Sequence, residues 1–271
     1  MLPHNFVATK EDAAKSDVIV KELMPEFNLH YHACIGALIY LTATRIDISF
    51  AVQKLAKFSA NPGRVHFVAL VHLLRYLRDN TYLGLKYYAN LRDAPLSDLL
   101  RNANISTTSP LIAFSDSSWQ DCPDTGRSTG MYIIFYMAGP VDHSTHVPSP
   151  VAQSSAESEY NLACTGGMAL AHFRMLNTEL EGEDPDQKPS DPPPLVLDSR
   201  AGVDMSKNGK DSKQTRHIAR RMHFVRNGEA EGYHRTTWIE GDMQLADIGT
   251  KNVRPDELQP RLSYLMVKVD P

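Results

Sequence analysis

The 271-residue chain lacks several features that mark special classes of protein. No window approaches 18 uninterrupted apolar residues, so no membrane-spanning helix is expected. Residues 1–5 carry no basic stretch followed by an apolar one, so no secretory signal is expected either. Its three cysteines, Cys34, Cys122 and Cys164, are far apart and fit neither a zinc spacing nor a disulfide framework. This cysteine usage favours a reducing compartment, so we expect an intracellular protein, with cytoplasm and nucleus not distinguished.

The charge is close to balanced overall but unevenly distributed. With 42% hydrophobic and 22% charged residues the chain has an ordinary globular composition, and its net charge of −4 argues mildly against broad nucleic-acid affinity. One stretch, residues 205–226, is strongly basic. Its basic residues are Lys207, Lys210, Lys213, Arg216, Arg220, Arg221 and Arg226. Such a run is more often a solvated helix face, but beside an acidic site it could hold a nucleic-acid backbone.

The hydrophobic pattern predicts an α/β fold preceded by a mainly helical segment. We expect a loose lead-in at residues 1–30, a helical segment at 31–90, a polar connector at 91–110 and a second domain at 111–271. Elements from residue 111 onward follow the order β-β-β-α-β-α-β-α. Three strands joined by turns imply antiparallel pairing, and the later strands, separated by helices, imply parallel crossovers. The prediction is therefore a mixed sheet flanked by helices.

Four carboxylates stand in informative positions. Asp116 and Asp198 each end an apolar run, Glu159 opens a long predicted helix, and Asp247 lies in the segment QLADI. Taken singly, each acid is weak evidence for a functional site, since an acid at a strand end or a helix start is usually a turn or capping residue. Together they could converge into one pocket that binds Mg²⁺, and two such ions can support phosphodiester cleavage. The pattern therefore suggests a nuclease.

Six segments, collinear from about residue 31 to 265, carry a family resemblance. They are residues 38–48 (LIYLTATRIDI), 66–87, 115–135, 152–160 (AQSSAESEY), 216–226 (RHIARRMHFVR) and 244–251 (QLADIGTK). In this order they resemble the C-terminal part of the Pol polyprotein of copia-type LTR retrotransposons. That part comprises the end of the reverse transcriptase and a ribonuclease H domain. The resemblance therefore implies a ribonuclease H-like fold for residues 111–271.

The resemblance also implies roles for the four acids. Asp116, Glu159, Asp198 and Asp247 would be both the catalytic and the metal-binding residues, holding two Mg²⁺ ions, with Mn²⁺ as an alternative. The neighbouring Glu157 cannot share this role with Glu159, because two residues along a helix turn the side chain by about 200°. The implied reaction is endonucleolytic hydrolysis of the RNA strand of an RNA–DNA hybrid.

Further residues are candidates for contacts with this substrate. Lys213, Arg216, Arg220 and Arg221 would bind phosphates of the hybrid. His217 and His223 resemble family positions near the site and are candidate proton shuttles, although a capping or packing role is the more common one. The implied partners are the hybrid and the remainder of a reverse transcriptase, with no membrane.

The chain departs from the family pattern in several places. It contains no Asp-Asp pair, so the polymerase motif Tyr-x-Asp-Asp is absent, and residues 31–90 resemble only a thumb or connection segment. Ser118 replaces an acid, residues 142–150 replace a tryptophan-containing basic run, and Gly249 replaces a phenylalanine, which predicts a smaller contact beside Asp247. Two alternatives therefore stay open. The chain could be an inactive remnant that binds nucleic acid, or a partner that docks onto a separate polymerase palm.

Overall fold

A computed structural model describes residues 2–3, 6–148, 151–184, 187–207 and 219–269. Four side chains within these ranges, those of Ala219, Arg220, Met222 and Pro255, are not part of the description. No helix in the described ranges is both long enough and apolar enough to cross a bilayer.

The described residues form ten α-helices and seven strands. The helices are α1 (Asp17–Phe27), α2 (Tyr31–Leu41), α3 (Ser49–Ala56), α4 (Arg64–Asp79), α5 (Pro95–Asn102), α6 (Ser155–Glu181), α7 (Arg200–Lys207), α8 (Ala219–Ala230), α9 (Asp247–Thr250) and α10 (Pro255–Leu265). The strands are β1 (Leu83–Leu85), β2 (Leu111–Ser118), β3 (Thr129–Tyr136), β4 (Gly139–His146), β5 (Pro194–Leu197), β6 (Arg235–Trp238) and β7 (Met266–Lys268).

Five of the strands form one mixed sheet in the order β4-β3-β2-β5-β6. Strands β2, β3 and β4 pair antiparallel, as expected for strands joined by turns. Strand β5 pairs parallel with both β2 and β6, and each of these connections contains a helix. The predicted arrangement, three antiparallel strands followed by parallel crossovers, is confirmed.

The sheet is covered by helices on both faces. Along β2, Ile112 and Phe114 point into a core that includes α5 and α10, whereas Leu111 and Ala113 point into a core with α6, α7 and α8. Side chains alternate between the faces of a strand, so a run that is apolar at every position belongs to a strand buried on both sides. This explains why β2 reads as a continuous apolar run.

Helices α1 to α4 enclose a separate core. Tyr31 of α2 and Phe67 of α4 contact each other in it with their ring planes tilted and their centroids 5.2 Å apart, and the Tyr31 hydroxyl donates to the Leu55 carbonyl oxygen at 3.0 Å. This helical part contacts the sheet domain through α3, which packs against α9 and β4. Strand β1, which follows α4, pairs with β7 near the end of the described chain.

Two segments are more ordered than the sequence suggested. The predicted connector contains α5, whose Leu96, Leu99 and Leu100 are buried against the sheet, and the predicted lead-in contains α1. The spacing of these three leucines is that of a helix face, but eight residues in a polar stretch give a weak pattern. Helix α7 also follows β5 where no helix was predicted. The division into domains stays a prediction.

Candidate metal centre

Two of the four acids are placed by adjacent parallel strands. In the register of β2 and β5, Phe114 pairs with Val196. Asp116 and Asp198 each lie two residues further along, so they occupy equivalent positions on the same face at the carboxyl ends of neighbouring strands. Asp116 is fully buried, and Asp198 is partly buried in the turn after β5.

Asp247 reaches the same place from α9. Gln244, buried three residues earlier, donates from Nε2 to the Ser115 carbonyl oxygen at 3.1 Å and so ties this segment to β2 beside Asp116. One carboxylate oxygen each from Asp116, Asp198 and Asp247 lies within 4.8 Å of the other two. The strand ends and α9 therefore bring three acids from distant parts of the chain to one point.

Gly249 is required for this close packing of α9. A Cβ at this position would overlap the Met131 side chain of β3 and would lie 2.6 Å from Thr145 Oγ1. The expectation of a merely smaller contact beside Asp247 is therefore incomplete, because the glycine lets the backbone of α9 lie directly on the sheet.

Glu159 approaches the three aspartates from the first turns of α6. Ser154 caps this helix by accepting from the Glu157 backbone N–H at 3.2 Å. Glu157 accepts from the Gln153 backbone N–H at 2.9 Å, so its carboxylate forms a hydrogen bond at the N-terminus of the helix. Burial raises the pKa of Glu159 well above its ordinary value, and the charges of Asp116 and Asp198 raise it further. The fourth acid therefore lies within the same electrostatic environment.

Three residues near the acids were not identified from the sequence. Lys251 Nζ lies 2.6 Å from Asp247 Oδ1 and 4.0 Å from Asp116 Oδ2. Arg261 of α10 donates from Nη2 to Asp247 Oδ2 at 3.1 Å, and the Thr250 hydroxyl donates to Asp116. Lys251 and Thr250 lie within the segment QLADIGTK and could have been noticed there. Arg261 has no such signal, because its contact depends on how α10 docks.

The electrostatics of the cluster favour an added cation. The pKa of Asp247 is raised to about 6, first by burial and then by the negative charge of Asp116. Burial and then Asp247 raise the pKa of Asp198. Burial alone would lower the pKa of Lys251, yet the charges of Asp116 and Asp247 outweigh it, and the net direction is upward. The acids thus carry more negative charge than the neighbouring lysine neutralises.

The donor set fits a hard divalent cation. All four acids offer carboxylate oxygens, which are the ligands that Mg²⁺ prefers. In addition, Glu159 Oε2 is buried and has no hydrogen-bond partner among the described residues. A buried carboxyl oxygen without a partner is costly unless a ligand satisfies it.

Comparison with known proteins places the chain in a family. No protein-family model matches it. It is 30% identical over 221 residues, 82% of its length, to the retrovirus-related Pol polyprotein from transposon RE1 of Arabidopsis thaliana. It is 26% identical over 225 residues to the corresponding polyprotein from transposon TNT 1-94 of Nicotiana tabacum. The chain belongs to the family of Pol polyproteins from copia-type LTR retrotransposons.

The chain spans only 14% of the length of the RE1 polyprotein. A shorter relative, the secreted RxLR effector protein 161 of Plasmopara viticola, is 31% identical over 134 residues, which are 49% of this chain and 83% of that protein. Among solved structures, LC11-RNase H1 is 14% identical with a TM-score of 0.38, and the match covers 52% of this chain and 91% of that one.

The basic stretch of the chain, residues 205–226, is described only in part. Lys213, Arg216 and His217 lie outside the described residues, as does the side chain of Arg220. Arg221, on α8, donates from Nη1 to Asn161 Oδ1 of α6 at 2.8 Å, so at least one of its donors joins two helices. His223 is exposed on α8. Phosphate binding and proton transfer by these residues stay predictions.

Proposed function

We propose that the chain is a Mg²⁺-dependent ribonuclease H that hydrolyses the RNA strand of RNA–DNA hybrids. The observation that carries this proposal is the convergence of Asp116, Asp198 and Asp247 to within 4.8 Å, with the partly buried Glu159 beside them. Membership of the Pol family supports a nucleic-acid substrate, and the strand arrangement is the one expected of a ribonuclease H-like domain.

Asp116 would bind the metal ions directly, since it lies on the central strand of the sheet beside the elements that carry the other acids. Asp198, Asp247 and Glu159 would complete the coordination, and two Mg²⁺ ions, or Mn²⁺, are the expected cofactors. When bound, such ions lower the pKa of an attacking water and stabilise the charge on the leaving oxygen.

The surrounding residues hold the acids in place. Arg261 binds one oxygen of Asp247 and also donates to the carbonyl oxygens of Gln244 at 3.1 Å and Gly241 at 3.1 Å. This fixes the direction of the Asp247 carboxylate through buried, charge-assisted hydrogen bonds. Lys251, whose side chain is 48% exposed, lies at the open side of the cluster, where its ammonium can turn towards a substrate phosphate. Preference for RNA over DNA would rest on contacts to 2′-hydroxyl groups across the minor groove.

The decisive experiment is a cleavage assay on a hybrid with labelled RNA in the presence of Mg²⁺. We expect the unsubstituted chain to cut the RNA strand and Asp198→Asn to lose cleavage, because an amide is a poor ligand for a hard cation. The matched control is Asp204→Asn, which changes an exposed acid of α7 and should leave cleavage intact. Binding of the hybrid without cleavage by the unsubstituted chain would identify an inactive remnant and reject the proposed catalysis.

A further inference from the structure

A cavity of about 430 Å³ lies beside the metal centre, between the helical segment and the sheet domain. Its walls come from residues 6–10, from α3, from the turn between β2 and β3, and from the end of α9. The volume is within the range of small-ligand sites, which is about 300–1,000 Å³. Among the described residues, none of the catalytic, metal-binding or substrate-binding candidates from the sequence lines this cavity.

The cavity adjoins the metal centre through shared residues. Thr250 and Lys251 both line it. The Thr250 hydroxyl donates to Asp116, and Lys251 Nζ lies 2.6 Å from Asp247. Ser118, two residues after Asp116 on β2, lines the same wall. A polymer bound at the acids can therefore continue directly into this cavity.

The cavity carries an excess of positive charge. Four lysines and two aspartates line it. Asp121 is bound by Lys54 and by the Thr129 hydroxyl, and Asp124 accepts from the Lys10 backbone N–H at 3.0 Å. Both aspartates are therefore already occupied by donors of this chain.

Lys57 is the lysine best placed to meet a ligand. Its side chain reaches solvent, yet enough of it is enclosed that burial lowers its pKa, and the charge of nearby Lys54 lowers it further. Lys54 is tied to Asp121, whereas none of the described carboxylates supplies a compensating negative charge at ion-pair distance from Lys57. An anion beside Lys57 would supply that charge.

Aromatic rings form the apolar part of the wall. Phe6, Phe50 and Phe58 line the cavity, and Lys54 Nζ lies 5.2 Å from the centroid of the Phe50 ring. Rings next to cations match the two parts of a nucleotide, because the base can stack on a ring and the phosphate can pair with an ammonium.

We propose that this cavity binds a nucleotide of the hybrid next to the cleavage position, with Lys57 holding its backbone phosphate. The inference rests on the proposed ribonuclease H function and adds a binding role for the helical segment. Phe50 lies in α3 and Lys57 directly follows this helix. Both residues therefore lie outside the sheet domain that carries the acids.

The first test measures affinity in a cleavage-free background. Asp198→Asn is combined with Lys57→Gln, and binding to a fluorescent hybrid is followed by anisotropy at several salt concentrations. Losing one phosphate contact should weaken binding by about three- to tenfold at low salt and reduce the slope of log K against log salt by about 0.9. The matched control is Lys21→Gln, which removes an exposed lysine on α1 and should change neither value.

The second test uses a thiol that already lines the cavity and needs no substitution. Cys122 is half-buried there, while Cys34, also half-buried, lies in the helical core away from the cavity. Bound hybrid should slow the alkylation of Cys122 several-fold and leave that of Cys34 unchanged, as read by peptide mass spectrometry. The pKa of Cys122 is lowered, with donors from Thr125 and the charge of Lys57 outweighing burial, which favours its reaction.

An unchanged salt slope in Lys57→Gln, or equal alkylation of Cys122 with and without hybrid, overturns the proposal. The two functional claims fail separately. Protection of Cys122 without any RNA cleavage by the unsubstituted chain rejects the catalysis and keeps the cavity assignment. RNA cleavage with an unprotected Cys122 keeps the catalysis and rejects the cavity assignment.

Discussion

Replacing Asp198 with asparagine should stabilise the metal-free chain while removing its cleavage activity. Oxygens of Asp116, Asp198 and Asp247 lie within 4.8 Å of one another. At that separation, and with an effective dielectric constant of about 20, two unit charges repel by roughly 3.5 kcal/mol. Lys251, 2.6 Å from Asp247, and Arg261, 3.1 Å from it, offset part of this repulsion. The net effect on the free energy of unfolding is therefore smaller than the pairwise value.

Proton uptake sets a second limit on the repulsion. The pKa of Asp247 is raised to about 6. At pH 8 the folded chain can therefore relieve the repulsion between the carboxylates by binding a proton, at a cost of about 2.7 kcal/mol. With the offset from Lys251 and Arg261 included, we expect Asp198→Asn to raise the free energy of unfolding by about 1–2 kcal/mol at pH 8. For a chain of this length that corresponds to an increase of about 2–8 °C in melting temperature.

The sign of the pH dependence follows from the raised pKa values. A carboxyl group whose pKa is higher in the folded state contributes stability below its unfolded pKa, and this contribution is lost as the pH rises through the folded value. The repulsion among the acids should therefore cost the metal-free chain more stability at pH 8 than at pH 5, and the difference in melting temperature between Asp198→Asn and the unsubstituted chain should be larger at pH 8. The gain from the substitution should be small at pH 5.

Thermal unfolding followed by circular dichroism in EDTA measures these differences. Asp204→Asn is the control, because it removes an exposed acid from the neighbouring helix α7. Adding Mg²⁺ should then raise the melting temperature of the unsubstituted chain more than that of Asp198→Asn, since a ligand that binds only the folded state stabilises it. A variant that melts at or below the unsubstituted chain at pH 8 in EDTA would refute the electrostatic reasoning.

Two further substitutions test how the site is held. Arg261→Met removes a buried donor to Asp247 and should cost about 3–5 kcal/mol, seen as a lower melting temperature, and should weaken the response to Mg²⁺; an unaltered Mg²⁺ titration would contradict the positioning role. Gly249→Ala forces a Cβ into the Met131 side chain and should cost about 1–3 kcal/mol in thermal unfolding. Gly36→Ala, at an exposed helical position with nothing within 4 Å of the added Cβ, should instead stabilise by about 0.5–1 kcal/mol; equal effects of the two alanines would count against the packing argument.

The sheet can be predicted from the sequence because β2 and β5 contain continuous apolar runs, which are a strong local pattern for buried strands. Asp116 and Asp198 are found for the same reason, as each directly follows or ends such a run. Glu159 and Asp247 are found through the family motifs, and the structure brings all four acids together. Their roles in catalysis and metal binding stay predictions.

The remaining parts depend on tertiary contacts that no local pattern encodes. Arg261 is 14 residues from Asp247, and nothing in its own segment indicates which face of α10 will meet α9. The cavity was not foreseen because Lys57 and Cys122 come from segments 65 residues apart that meet only when α3 packs beside the sheet domain. Helix α5 was missed because its three buried leucines lie in a short polar stretch.

The helical segment and the metal centre are parts of one packing arrangement. Helix α9 carries Asp247 and lies between β3 and α3. Gly249 of α9 allows the helix to approach β3 closely. Ile46, just before α3, is buried in the core of the sheet domain and not in that of the helical segment. In the proposed site α3 would help to position Asp247 as well as line the neighbouring cavity, because an acid that holds a cation needs a fixed direction. The helical segment would then support the proposed nuclease site directly.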